Sequence, residues 1–415
     1  MVKLLISLVL ILVSSISYAI EQTITLDQVI VEVLEKHPQL KIADYEAQAI
    51  AARIKIAAQR PADNIRIEME DFGGTGDARW LGNVETTVSL ARVLELGNKS
   101  AYRADVALHE SYVLEDKQDA DRLDLLSETA RRFFFFFFDE QQVMIAIDAI
   151  KLTQQTVKIV ENRISAGVAP IAERLRIDID LARQELELEH AEHELASSRV
   201  RLSSLWNNIR PAFQKVNADI YTLEQPLTLE AYANLLDRNP DITRINTQHR
   251  LAESRIRLAQ IKSKADIEIT GGMRYIGESN DIGFILSADM PLGTAKRAAP
   301  SIEEAQLLGQ IDPLALEQKQ TELFVTLYAL YQELLHSKTA TTLFQERIIP
   351  AAKNAVTEYE KLYGAGRLSL LELVEAQRNL LNSRKQLLES VYKFHRLRIE
   401  IDRLTGAPVA TGVLP

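Results

Sequence analysis

Two hydrophobic periods alternate along the 415-residue chain. Over the stretch from Leu368 to Leu404, Leu373, Leu380, Leu387, Phe394 and Ile401 recur at steps of seven. Leu370, Val391, Leu397 and Leu404 each lie three residues from a member of that row. An earlier row repeats the pattern in Val143, Ile150, Val157 and Ile164. A stripe of this period predicts a helix that supercoils against a partner helix. Each row adjoins a glycine turn, Ser165-Ala-Gly-Val-Ala-Pro170 or Tyr363-Gly-Ala-Gly366, so both turns are expected to be tips of long helical hairpins. From Ala101 to about Ile164 no proline or glycine interrupts the sequence. One continuous helix there would be about 100 Å long at 1.5 Å per residue, more than a compact domain needs. A matching run extends from about Ile302 to Tyr363, broken near Gly309 to Pro313.

The second period is two. Ile65, Ile67 and Met69 alternate with Arg66, Glu68 and Glu70, and Val84, Thr86, Val88 and Leu90 with Glu85, Thr87 and Ser89. Later, Ile267, Ile269 and Met273 alternate with Glu268, Thr270 and Arg274, and Ile282, Phe284, Leu286 and Met290 with Ser287 and Asp289. Such segments are strands with one apolar and one polar face. Their length is close to the ~9–11 residues a tilted strand needs to cross hydrocarbon, where the apolar side meets lipid and the charged side lines water. Four strands cannot close a barrel and open edges are excluded from lipid, so the chain is expected to assemble; three copies would supply twelve strands.

The pattern occurs twice. Thr25-Leu26-Asp27, His37-Pro38 and Arg53-Ile54 return as Thr228-Leu229-Glu230, Asn239-Pro240 and Arg255-Ile256, at spacings of 202 or 203 residues, and the two tip glycines Gly167 and Gly366 are 199 apart. This predicts a tandem duplication: a first repeat over 20–206, a connector over 207–227, a second repeat over 228–406 and a tail over 407–415. Each repeat opens with a helix, Leu26 to Gln59 or Leu229 to Lys262, begun by a threonine with an acidic residue in the first turn.

Composition narrows the function. A net charge of −10 with no basic block argues against a nucleic-acid partner. Residues 1–19 read as a secretory signal, with Lys3, the apolar run Leu4 to Val13 and the small-residue site Ser17-Tyr18-Ala19. There is no cysteine, hence no disulfide and no thiol for lipid attachment. Six consecutive phenylalanines, Phe133 to Phe138, are too short a run to span a membrane and are expected to be wrapped on all sides by other segments.

The double repeat of helix, strand pair, long helix, glycine tip and return helix resembles the TolC-like outer membrane efflux proteins of Gram-negative bacteria. The resemblance covers the mature chain and is most specific over Tyr363-Gly-Ala-Gly366 and Leu371-Glu-Leu-Val-Glu-Ala-Gln377. Glu70-Asp-Phe-Gly-Gly74 and Val88-Ser-Leu-Ala-Arg-Val-Leu-Glu-Leu-Gly-Asn-Lys99 look most like the heavy-metal cation branch, the CzcC and CusC type, although Asn98 stands where that branch often has a second glycine. The resemblance implies a mainly α protein with a transmembrane β-barrel contribution: helical hairpins form a periplasmic tunnel, and a homotrimer closes a twelve-stranded barrel in outer-membrane lipid. It implies a passive efflux duct, without cofactor or catalytic residues, that meets a periplasmic adaptor (membrane fusion) protein and an inner-membrane RND-type pump. Heavy-metal cations are the expected cargo, with drugs or a type I secreted protein as alternatives. By position, Glu372 and Glu375 fall where the family closes its periplasmic gate, with Tyr363 and Arg367 beside them; Arg367 sits one residue earlier than the family's basic partner. Gly167, Val168, Gly364, Gly366 and Leu368 fall at the adaptor-docking tips. Arg66, Glu68, Glu70, Glu85, Glu268 and Arg274 are assigned to the barrel lumen.

Two other readings compete. Glu187-x-x-His190 and Glu333-x-x-His336 have the spacing of dinuclear metal sites in helical bundles, with His193 as a further ligand. A secreted structural coiled coil would explain the heptads but not the four amphipathic strands.

Overall fold

The computed structural model describes residues 23–81 and 83–407. The predicted signal sequence and the tail from 408 lie outside the described residues. In chain order the elements are β1 (Thr23–Ile24), α1 (Leu26–Lys36), α2 (Pro38–Ala57), β2 (Asn64–Glu70), β3 (Glu85–Leu94), α3 (Lys99–Ser165), α4 (Ile171–Ser203), β4 (Lys215–Val216) and α5 (Leu229–Ala233). There follow α6 (Pro240–Lys262), β5 (Ile267–Ile276), β6 (Asp281–Asp289), α7 (Thr294–Gly309), α8 (Ile311–Leu343), α9 (Ile349–Gly364) and α10 (Leu370–Leu404).

Most of these follow the periodicity, and the departures have local causes. The helix expected over Leu26 to Gln59 is two helices, because Pro38 offers no N–H and forces His37 into an extended conformation at ψ 127°. Pro240 does the same to its counterpart, Asn239 being held at ψ 128°, so Leu229 to Lys262 is also not continuous. Both expected caps are present: Thr25 forms a capping box with Gln28, and Thr228 accepts from the Ala231 amide. Ahead of Pro350 the backbone widens into a π turn over Phe344–Ile348, which accommodates a ring that would strike the carbonyl four residues back.

The chain divides into two compact units. Among the described residues, one holds Thr23–Lys41, Arg122–Asn239 and Leu323–Ala407. Its core is built around the phenylalanine run: Phe133, Phe134, Phe136 and Phe137 are buried against Val29 and Val33 of α1, Leu202 of α4, Val391 of α10 and the connector residues Phe213, Val216 and Ile220. Phe135 and Phe138, on the remaining side, are only half-buried, so within one chain the run is covered on most of its circumference and not on all sides. The connector is held by backbone as well as side chains. β4 pairs in parallel with β1, and the ring of His395, stacked on Phe134 at 4.7 Å, hydrogen-bonds to the Ile220 carbonyl at 2.8 Å. Burial holds His395 below the ordinary imidazole range, so it donates there as a neutral ring.

Along the hairpins of this unit, the fully buried row of α3 is Ala146, Ala149, Thr153, Thr156 and Val160, while Val143, Ile150, Val157 and Ile164 are half-buried beside it. Small residues and threonines, which a hydrophobic count passes over, form the seam, and Gln377 of α10 donates to Thr156 there at 2.8 Å in a buried polar layer. On α10 the expected row is buried at Leu373, Leu380, Phe394 and Ile401.

The other unit, Ile42–Asp121 and Pro240–Glu322, carries an antiparallel sheet in the order β2-β3-β5-β6. Its register runs Ile67, Val88, Met273, Phe284 along one row, and Glu68, Thr87, Arg274, Gly283 along the next. Before α3, Gly97 at φ +84° packs where a Cβ would lie 2.7 Å from Ile261, and Asn98 follows at φ +59°. Asparagine tolerates this left-handed conformation, so it serves where a second glycine was expected.

Candidate channel face and helical tips

The sheet register places Arg66, Glu68, Glu70, Glu85, Glu268 and Arg274 together on one face, joined by Asp281 and Asp289. Arg274 organises the end of this face nearest the β2–β3 hairpin. Its guanidinium pairs with Glu70 at 3.2 Å and Glu85 at 3.1 Å and donates to the Thr87 hydroxyl at 3.0 Å, linking three strands. Arg66 approaches Glu68 at 3.8 Å. Glu268 and Asp289 are direct cross-strand neighbours, a like-charge pairing that a sheet normally avoids.

The two faces are inverted relative to a water-soluble sheet. Phe284 and Leu286 are 84% and 82% exposed on the apolar face, whereas Thr87, Ser89 and Thr270 are buried on the polar one. The polar face is therefore concave. Gly272 permits the curl, since a Cβ there would stand 2.6 Å from both Ser89 Cβ and Val88 O, while its neighbour Gly271 points to open space. Near the ends of the strands that lead to helices, Arg92 emerges on the apolar face and is clasped by both oxygens of Asp63, at 2.6 and 2.9 Å.

Both helical tips close in the same way. Gly167 takes φ +71°, its amide bonds to Ile164 O at 2.9 Å and the Val168 amide to Arg163 O at 3.0 Å; Gly366 takes φ +75°, with Gly366 to Tyr363 O and Arg367 to Leu362 O, each at 2.9 Å. This is the Schellman arrangement. Gly364 is the last residue of α9 and needs no left-handed backbone. Val168 is exposed, and Leu368 is half-buried.

Tyr363 is fully buried and bonds across to the first tip. Its hydroxyl donates to Glu173 at 2.5 Å, the Arg163 guanidinium lies 4.3 Å from its ring centroid, and Arg163 also donates to the Tyr363 carbonyl. Burial, and then the bond to Glu173, raise the phenol well above its ordinary pKa. Arg163 and Glu173 were not singled out in the sequence, where nothing in their spacing marks them. Glu372 and Glu375 share the first turns of α10 but differ in use. Ser369 donates both its amide, at 2.9 Å, and its hydroxyl, at 2.7 Å, to the Glu372 carboxylate, forming a capping box that holds it below the usual carboxylate range. Glu375 and Arg367 are exposed, and among the described residues neither makes an ion pair.

The model of the family described as "Outer membrane efflux protein" matches this chain over residues 29–208 and 231–407. The chain belongs to the outer membrane efflux protein family. Family members are TolC-like channels of the Gram-negative outer membrane with a periplasmic extension, and they are not enzymes. Among curated relatives, the cobalt-zinc-cadmium resistance protein CzcC of Cupriavidus metallidurans is 20% identical over 323 residues, covering 77% of each chain. The cation efflux system protein CusC of Escherichia coli is 23% identical over 386 residues, covering 87% of this chain and 82% of that one. A crystal structure of CusC superposes with a TM-score of 0.75 at 19% identity, covering 92% of both chains. The outer-membrane channel OprN gives 0.77 at 15%, covering 92% and 90%. The fold is thus that of these channels.

The bundle-metalloenzyme reading falls with membership of a channel family. Its carboxylates have other partners: Glu333 pairs with Lys393, and Glu187 lies 3.8 Å from Lys385. Among the described residues no cluster of three or more His, Cys, Asp or Glu is placed to hold a metal.

Proposed function

We propose that this efflux channel is the passive outer-membrane duct of a tripartite system that exports heavy-metal cations. A homotrimer would close the barrel and receive cargo through a periplasmic adaptor from an inner-membrane RND-type pump. The observation that carries the reading is the inverted sheet, whose apolar face suits lipid and whose concave face suits a water-filled lumen. The metal assignment is supported by the names of the relatives CzcC and CusC. It is supported also by charge, because Glu68, Glu70, Glu85, Glu268, Asp281 and Asp289 outnumber Arg66 and Arg274 on the concave face. Trimerisation is favoured by helix faces that find no cover within one chain: α2 buries no residue, and Ile171, Leu175, Ile179 and Leu186 of α4 form an exposed apolar stripe.

In this reading the two repeats, 20–206 and 228–406, meet at the connector 207–227, and the tips Gly167–Val168 and Gly364–Leu368 dock the adaptor. Glu375 from three chains forms a carboxylate ring at the entrance. Glu372 joins it when its bond to Ser369 opens, and Tyr363 and Arg367 control how far the tips part. The deciding experiment expresses the chain with its genomic neighbour pump and adaptor in a strain lacking its own metal-export duct. Restored tolerance to divalent metals without gain of drug tolerance supports the reading; drug tolerance alone replaces it. For the gate, alanine at both Glu372 and Glu375 should change the conductance and cation preference of reconstituted trimers, and unchanged values would remove the gate while leaving the duct.

A further inference from the structure

We infer that a cavity enclosed by α3, α4 and α10 binds a small organic cation, a primary ammonium carried on a compact apolar body. The cavity measures about 310 Å³ and is walled on its apolar side by Phe138, Ile145, Ala149 and Leu381. At one end lies Asp139, only 5% exposed. Its carboxylate oxygen Oδ2 is buried with no hydrogen-bond partner among the described residues. Leaving such a group unmatched is costly, and a cation seated beside it would relieve the cost.

The surrounding charges point the same way. Burial raises the Asp139 pKa, and Glu194, also lining the cavity, adds negative potential that raises it further; the exposed Arg201 opposes this more weakly. The cationic residues at the rim are committed elsewhere, Arg378 to Asp180 at 2.7 Å and Lys385 towards Glu187 at 3.8 Å. A metal ion is the poorer occupant, since no set of three suitable ligands converges among the described residues. The volume is at the small end of the ligand-pocket range, so a single ring with one aminomethyl group is of suitable size. This site is separate from the concave sheet face and does not rest on the duct reading.

The test is calorimetric titration of the full chain in detergent with benzylammonium, using benzyl alcohol as the neutral match. Expected are saturable binding at one site per chain, at least tenfold weaker binding to Asp139→Asn, and at least tenfold weaker binding of the alcohol to the native protein. Ala191→Leu, which fills the cavity from α4 and leaves the carboxylate in place, should also abolish binding and serves if the Asp139 variant fails to fold. Absence of saturable benzylammonium binding, equal affinity for the alcohol, or undiminished binding to either folded variant would overturn the inference. Metal tolerance conferred by the chain is a separate readout, so a null here leaves the duct reading standing.

Discussion

The hydroxyl of Tyr363 donates to the carboxylate of Glu173 across 2.5 Å, tying the second helical tip to the first within one chain. Because Arg163 also donates to the Tyr363 carbonyl and sits over its ring, the contact is a three-part lock. Tyr363→Phe keeps the ring and removes only the hydroxyl, leaving Glu173 without its donor. A hydrogen bond to a charged group contributes about 1.5–3 kcal/mol. The variant should raise single-channel conductance in planar bilayers by loosening the tips, and Glu173→Gln should move conductance in the same direction.

The tip lock also sets a direction with alkali. The folded state raises the Tyr363 pKa, so its contribution is complete below the ordinary phenol value of about 10 and is lost as pH rises towards the elevated folded value. Protection from hydrogen exchange at residues 362–368, taken relative to the intrinsic rate, should therefore fall as pH rises above the ordinary phenol value in the native protein and not in Tyr363→Phe.

Acid acts on the neighbouring turn. The Glu372 carboxylate is held below its ordinary range by Ser369, so the capping box is intact above that range and is lost as pH falls through the lowered value. The amides of Ser369 and Glu372, which make the two bonds of the box, should lose protection under acid conditions. In Glu372→Gln, which caps without titrating, protection should change little over the same interval.

How much of this was legible in the sequence depends on what carried the signal. Strand faces were readable because alternation assigns each side chain by parity, and the six residues expected in the lumen do share a face. Helix extents were readable wherever glycine and proline were absent, as in α3, and misjudged where a lone proline lay inside an apolar pattern, as at Pro38 and Pro240. The seam of α3 was missed because alanine and threonine build it. The pairing of β1 with β4, and of Arg163 and Glu173 with Tyr363, joins residues some 190–200 positions apart with no shared motif, so only the fold reveals them.

Adjacent glycines in β5 should behave in opposite ways. A methyl at Gly272 meets Val88 O and Ser89 Cβ at 2.6 Å, and the backbone oxygen cannot move without breaking the ladder, whereas a methyl at Gly271 would enter open space. Gly272→Ala should sharply lower the yield of heat-resistant trimer on gels, and Gly271→Ala should leave it near the native level.

The phenylalanine run offers a last contrast, between two residues identical in chemistry and next to each other in sequence. Phe136 is fully buried and meets Phe213 of the connector edge-on, centroids 5.5 Å apart, while Phe135 is only half-buried and touches Tyr392. Truncating a fully buried phenylalanine removes its transfer free energy and leaves a cavity, about 3–5 kcal/mol. Phe136→Ala should lower the unfolding temperature and expose the connector near Phe213 to limited proteolysis, because the cavity opens beneath the segment that wraps the run. Phe135→Ala should shift the temperature much less and leave the proteolytic pattern unchanged. Equal effects from the two would mean that the run is stabilised by its hydrophobicity alone and not by the connector that covers it.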